Sequence, residues 1–270
     1  MKYRVIALDI DGTLKGDCSR MSSYMLEILE ECVTQGALVS VATGRTLNSA
    51  LNFLEQAPII EAVISFQGAL VSFEKGKKKV WETFLTEQDI SLAVELLSDW
   101  EVQIAAYAGD VVYVDKMTDW AESYGVRNAV QISQVDSITD IPQELYRILA
   151  VGAPKVIRDL EVDLKQQHGD VMYATRSLPH FCEILSIDAG KEKALDWVCS
   201  HINSSREEVL AFGNGFNDVE MLKWAGRGVA MQGGESVVFE ICDDTAMSPN
   251  QDGVALYLDC LLYTSPSPRD

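Results

Sequence analysis

The sequence predicts an α/β fold: a doubly wound, Rossmann-like parallel sheet with an α+β domain inserted into it. Three observations predict this. Short apolar runs alternate with amphipathic segments in both the N-terminal and C-terminal parts of the chain. Between them the pattern changes to strands joined by hairpin signals. In the flanking parts, polar residues recur just past the apolar runs, where parallel sheets bind ligands.

The elements follow in order. YRVIALD reads as a buried strand ending at Asp9. A helix over roughly 22–35 puts Met25, Leu26, Ile28, Leu29, Cys32 and Val33 on one face and stops at Gly36. ALVSVAT is a second strand, ending near Thr43, and after another helix EAVISF is a third. EKGKKK (74–79) is a solvated hairpin turn. Thr86 is placed to cap a helix reaching Trp100. VQIAAY and VVYVD flank Ala108-Gly109-Asp110, a hairpin turn. YRILAVG is a strand, and Pro154 suits the first turn of a helix ending near Gly169. VMYATR and HFCEIL close the inserted region, expected to be an antiparallel sheet with helices on one face. The βα alternation then resumes with a helix from near Lys191 to His201, strand EVLAFG, helix NDVEMLKWAG and strand GRGVAM. The expected domains are a core of 1–82 and 186–259 and an insertion of 83–185.

Residues 260–270, CLLYTSPSPRD, are set apart from this pattern. They back-translate to one reading frame of the transposase-end adapter used in sequencing libraries. They are read as a non-native, adapter-derived tail, expected to pack poorly.

The chain has 270 residues, 47% apolar and 23% charged, and a formal net charge of −19. So acidic a protein repels phosphate backbones and anionic headgroups, which argues against nucleic-acid and membrane partners. No apolar run nears the roughly 18–20 residues that cross a bilayer. VIAL before Asp9 is too short for a signal-peptide core. A cytoplasmic protein is expected. Cys18, Cys32, Cys182, Cys199, Cys242 and Cys260 are scattered without a C-x-x-C, and the histidines form no zinc spacing with them, so thiols are expected. Nothing in the sequence specifies an oligomeric state.

The chemistry lies in four segments. DIDGT places Asp9, Asp11 and Thr13 past the first strand, TGR places Thr43 past the second, and FGNGFND places Asn214, Asn217 and Asp218 past another. Lys191 opens the helix before that last strand. Each has an ordinary explanation alone: a turn, a helix cap, a surface lysine, a first-turn acid. The conjunction, in this order and at these places, points to one polar rim.

These motifs resemble those of haloacid dehalogenase superfamily phosphatases of the Cof type, class IIB, with a large α/β cap. DIDGTL matches the first motif, VATGR the second, GKEKAL the third and GNGFNDVEML the fourth, while NQDGVA (250–255) is similar to the family's usual ending. The resemblance covers residues 1 to about 259 and makes the insertion the cap. It implies a phosphatase in which Asp9 is the nucleophile and forms an aspartyl-phosphate. Asp11 would protonate the leaving oxygen and then activate water, so its pKa is expected above that of Asp9. Thr43, Gly44, Lys191 and Asn217 would bind the phosphoryl group. Mg²⁺ would be held by Asp9, Asp11 through its carbonyl, Asn214 and Asp218. The substrate would be a small phosphorylated metabolite, such as a sugar phosphate or a phosphorylated cofactor. Asp11 favours phosphate chemistry over dehalogenation, since a departing halide needs no proton.

Three residues depart from the pattern. Asn214 stands where the family usually has Asp, Glu192 where it has Gly, and Gln67 where it has Asn. Glu192 and Gln67 are expected on tolerant loops. Asn214 falls on a metal ligand and motivates an alternative: a phospho-ligand binding or sensing module with impaired catalysis. A nucleotide-dependent enzyme fails on motifs, because GNGFND lacks the third glycine of a dinucleotide fingerprint and GKEK is not a P-loop ending.

Overall fold

A computed structural model describes residues 2–18, 20–128 and 130–264. The chain divides into two compact units: Met1–Trp81 together with the chain from Lys191 onward, and Glu82–Gly190.

The first unit begins with β1 (Val5–Leu8), α1 (Ser23–Thr34), β2 (Leu38–Ala42), α2 (Leu47–Leu54), β3 (Ala62–Ser65), β4 (Leu70–Phe73) and β5 (Lys78–Glu82). The second unit carries α3 (Glu87–Leu97), β6 (Gln103–Ala108), β7 (Val111–Val114), α4 (Asp119–Asn128), β8 (Gln131–Gln134), β9 (Arg147–Val151), α5 (Pro154–His168), β10 (Met172–Leu178) and β11 (Phe181–Ser186). The chain returns to the first unit with α6 (Lys191–His201), β12 (Val209–Gly213), α7 (Val219–Trp224), β13 (Arg227–Met231), α8 (Ser236–Ile241), β14 (Asp244–Ala246) and α9 (Gly253–Thr264).

Among the described residues the first unit's sheet has the order β14-β13-β12-β1-β2-β3-β4-β5. The pairs from β14 to β3 are parallel, and β4 joins β3 antiparallel. β1 lies between β12 and β2, so all four of its residues are buried. That explains the unbroken apolar run VIAL, since a central parallel strand is covered on both faces. Its alternation then sorts the layers. Ile6 and Leu8 face the core under α1, α2 and α9, while Val5 and Ala7 face the core under α6, α7 and α8. Val5, Ile6 and Leu8 each contribute about 1.5–3 kcal/mol when fully buried. α1 starts at Ser22, whose hydroxyl accepts the Met25 N–H at 2.9 Å, and it buries Met25, Ile28, Leu29 and Cys32. Val33 is exposed, so the apolar face read from the sequence is one residue too wide.

In the second unit Thr86 caps α3 through a capping box with Asp89. Ile104, Ala106, Ile148, Ala150, Cys182 and Ile184 share one sheet face and pack with residues of α3 and α5. The sheet order is β10-β11-β9-β6-β7-β8. The sheet is not wholly antiparallel, because β8 joins β7 in parallel after α4. The sequence gives little sign of this crossover: DWAESYGVRN has too few apolar residues to show a helical face.

α9 crosses the boundary drawn at residue 259. Val254, Ala255 and Leu258 are buried in the core with α1, and Leu261 and Leu262 pack against the same cluster. The spacing of these five residues is helical, so Leu261 and Leu262 continue a face begun by the preceding turns. The expectation of poor packing is therefore corrected for Leu261 and Leu262, and residues 265–270 lie outside the described residues. Among the described residues no helix is long and apolar enough to cross a membrane.

Candidate active site

Parallel strands in adjacent order align the residues that follow them. Asp9 follows β1, Thr43 follows β2, Phe66 and Gln67 follow β3, and Asn214 follows β12. The order β12-β1-β2-β3 puts all of them along one edge of the sheet. Lys191 joins them from the first position of α6.

Lys191 is the hub. Its Nζ donates to Asp9 Oδ1 at 2.7 Å and to Asp218 Oδ1 at 2.6 Å, and the residue is only 1% exposed. Burial works against its charge, but Asp218 and Asp9 outweigh burial and hold the ammonium protonated well above its ordinary range. Asp9, 5% exposed, is pushed up to about 7 by burial. Lys191 opposes that shift and Asp218 adds to it. One ammonium serves two buried carboxylates, so neither has a counter-charge to itself.

Asp218 has a second task. Its Oδ2 accepts the N–H groups of Asn214 at 2.8 Å and Gly215 at 2.9 Å, which closes the polar turn. Both of its oxygens are thus engaged by protein donors.

Asp11 stands in a different environment. Its side chain is 57% exposed, and Arg45 grips it with Nε to Oδ2 at 2.7 Å and Nη2 to Oδ1 at 2.5 Å. Lys15 Nζ lies 3.7 Å away. Partial burial works to raise its pKa, but Arg45 and Lys15 prevail and hold the carboxyl below its ordinary value. The expected order of the two acids is therefore reversed: Asp9 is the raised one and Asp11 the lowered one. Burial raises Asp9, while Asp11 is lowered chiefly by Arg45, the third residue of TGR, to which sequence reasoning gave no role.

The remaining residues close around these. Thr13 Oγ1 donates to Asn214 Oδ1 at 3.2 Å. Gly12, at φ +88°, lets the DIDGT loop press on Asn214: a Cβ there would lie 2.3 Å from Asn214 Nδ2. Thr43 is buried, and its Oγ1 accepts the Arg45 N–H at 3.2 Å. Asn217 Nδ2 donates to Gln67 Oε1 at 3.0 Å. Gln67 is 0% exposed rather than on a tolerant loop. It and Phe66 are consecutive left-handed residues at φ +54° and +49°. For non-glycine residues this costs on the order of 1–2 kcal/mol each. Residue types alone gave no warning, since neither is a glycine or an asparagine. Glu192 also lies off any loop: it is half-buried in the first turn of α6, where its Oε2 has no hydrogen-bond partner. Burial raises its carboxyl pKa and nearby Glu220 adds to the shift.

A metal would meet an oxygen-only donor set here: the Asp9 carboxylate, the Asp11 carbonyl and the Asn214 carboxamide. Asn214 is held against the DIDGT loop by Thr13 and by its close approach to Gly12. Such donors fit a hard cation. Among the described residues no three His, Cys, Asp or Glu side chains gather as a metal centre.

The profile of the family described as haloacid dehalogenase-like hydrolase matches residues 6–258. The chain belongs to this family. Among relatives of this hydrolase is the 5-amino-6-(5-phospho-D-ribitylamino)uracil phosphatase YitU of Bacillus subtilis. It is 26% identical over 263 residues, covering 95% of this chain and 97% of YitU. The HMP-PP phosphatase of Serratia proteamaculans is 28% identical over 241 residues, covering 85% of this chain and 84% of the relative. Among solved structures, the haloacid dehalogenase subclass IIB sugar phosphatase BT4131 superimposes with a TM-score of 0.81 at 20% identity, over 96% of this chain and 98% of its own, and so shares the fold. This haloacid dehalogenase-like hydrolase is a phosphatase.

Proposed function

We propose that the protein is a Mg²⁺-dependent phosphatase that hydrolyses small phosphorylated metabolites, a sugar phosphate or a phosphorylated cofactor, through an aspartyl-phosphate on Asp9. One observation carries the reading: a buried carboxylate, Asp9, 2.7 Å from a buried ammonium, Lys191, with a second, separately held carboxylate, Asp11, two residues on. The relatives named above act on phosphorylated metabolites by their names, which supports the substrate class.

An Asp9 oxygen attacks phosphorus, an Asp9 O–P bond forms and the ester P–O bond breaks. Asp11 gives its proton to the departing alkoxide. Water then attacks phosphorus while Asp11 takes a proton from it, the Asp9 O–P bond breaks, and inorganic phosphate leaves with Asp9 restored. Arg45 holds Asp11 ionised at rest, so Asp11 exchanges Arg45 for a proton before it acts as an acid. Lys191 neutralises charge on Asp9 and the phosphoryl group. Thr43, Gly44 and Asn217 supply hydrogen bonds to the phosphoryl oxygens. Asp9, the Asp11 carbonyl and Asn214 would hold Mg²⁺, which when bound would supply positive charge that offsets the phosphoryl charge. Asp218, with both oxygens taken, orients Lys191 and the turn rather than reaching the metal directly.

The test is a panel of phosphate esters assayed for inorganic phosphate with added Mg²⁺. Release from sugar phosphates or phosphorylated cofactors is expected. Binding of phosphate without release from any ester would overturn the reading in favour of a sensing module.

A further inference from the structure

We propose that Gln67 is a positioning residue for the phosphoryl pocket, fixing which end of the Asn217 amide faces the ligand. The proposal rests on the reading of Asn217 as a phosphoryl ligand.

The side chain of Gln67 spans two motifs. At one end its Oε1 accepts Asn217 Nδ2–H at 3.0 Å, from the turn after β12. At the other end its Nε2 fills the place a side chain would take at residue 44: a Cβ on Gly44 would lie 2.4 Å from it. Gly44 follows Thr43, and both are neutral residues of the proposed pocket. The main chain of this segment is bound to the same motif, since Gln67 N–H donates to Thr43 O at 3.0 Å and Phe66 N–H to Arg45 O at 2.9 Å. Two left-handed residues in a row are kept at this point, and the segment is fully buried. Strain that surrounding bonds hold in place, next to a reactive site, is a sign of a functional constraint.

An asparagine amide has two ends of nearly equal shape and opposite polarity. Its NH₂ end attracts a phosphoryl oxygen and its carbonyl end repels one. In Asn217 the NH₂ end is turned to Gln67, and Oδ1 lies on the side of Gly215, 2.7 Å from where a Cβ of that residue would stand. Gln67 Oε1 takes one of the two N–H groups and leaves the other for the ligand. Among the described residues this is the hydrogen bond that holds the Asn217 amide, so loss of the acceptor allows a flip that would present the carbonyl instead. The length of the side chain matters: Asn at position 67 would be one methylene shorter and would withdraw the acceptor from Asn217.

The test combines steady-state kinetics on p-nitrophenyl phosphate with calorimetric titration of inorganic phosphate, for the wild type, Gln67→Met, Asn217→Ala and the double variant. Methionine keeps the size of glutamine and removes the acceptor. Gln67→Met is expected to raise KM and weaken phosphate binding about tenfold, with a smaller change in kcat. In the Asn217→Ala background it is expected to change neither, because the two residues act as one. Gln67→Asn, which withdraws the acceptor, is expected to show the same loss as Gln67→Met, and it takes that variant's place if the methionine variant does not fold. Equal losses from Gln67→Met with and without Asn217 would overturn the proposal and leave Gln67 a packing residue. Phosphate binding without turnover by the wild type would count against the function proposed above and leave the positioning test intact. No phosphate binding by the wild type would overturn both.

Discussion

Lys191 Nζ lies 2.7 Å from Asp9 Oδ1 at the end of the central strand, and the same nitrogen also holds Asp218. The cation is therefore a structural element as well as the proposed catalytic one. Lys191→Met would leave two carboxylates buried without a counter-charge. A loss of about 3–5 kcal/mol is expected at neutral pH. The loss should shrink as the pH is lowered, since a protonated carboxyl needs no partner. Denaturant titrations of both proteins at two pH values check this, and a pH-independent difference would contradict it.

Asn214 supplies a neutral oxygen where a carboxylate would add charge. Asn214→Asp is expected to tighten Mg²⁺ about tenfold, on the order of 1.4 kcal/mol. Both the Mg²⁺ dependence of phosphate release and the rise in Tm with added Mg²⁺ report it. Coincident curves for the two proteins would mean that residue 214 is not a ligand.

Glu192 gives a pH dependence of stability. Its folded-state pKa lies above the ordinary 4.5, so its contribution is fully present below that value and is lost as pH rises through the folded pKa. Glu192→Gln removes the burial of a charge. It should raise Tm at neutral pH, and the gain should vanish below about pH 4.5. A gain that persists at acid pH would place the effect in packing instead of ionisation.

Leu261 and Leu262 each pack against the core under α1 while remaining partly exposed. Replacing both with Ser is expected to cost roughly 1.5–3 kcal/mol in total, about half the value of full burial for each of the two side chains. Thermal melts would then shift down by a few degrees, at about 2–4 °C per kcal/mol for a chain of this size. An unchanged Tm would restore the reading of this segment as an unpacked tail.

What was legible in the sequence follows from how local each signal is. VIAL, ALVSVAT and EVLAFG are continuous apolar runs, and they lie side by side in the sheet because only buried parallel strands need apolar residues on both faces. Thr86, Pro154 and the Ala108-Gly109-Asp110 turn act within a few residues and read correctly. α4 and β8 did not read, because DWAESYGVRN and QISQ show neither a helical nor a strand face strongly. At the site, the strand ends locate Asp9, Thr43 and Asn214, and the opening of α6 locates Lys191. The pairing of Arg45 with Asp11 crosses 34 residues and that of Asn217 with Gln67 crosses 150. No pattern in either segment announces its partner, and the lowered pKa of Asp11 depends on the first of those pairings.

The most direct measurement is phosphate release by Asp9→Asn, compared with the wild type on p-nitrophenyl phosphate with Mg²⁺, using freshly prepared protein whose fold is checked by its melting curve. A folded variant that loses turnover by roughly 10⁴-fold or more is expected, because the atom that bonds to phosphorus is gone. Turnover at the wild-type rate would contradict an aspartyl-phosphate on Asp9.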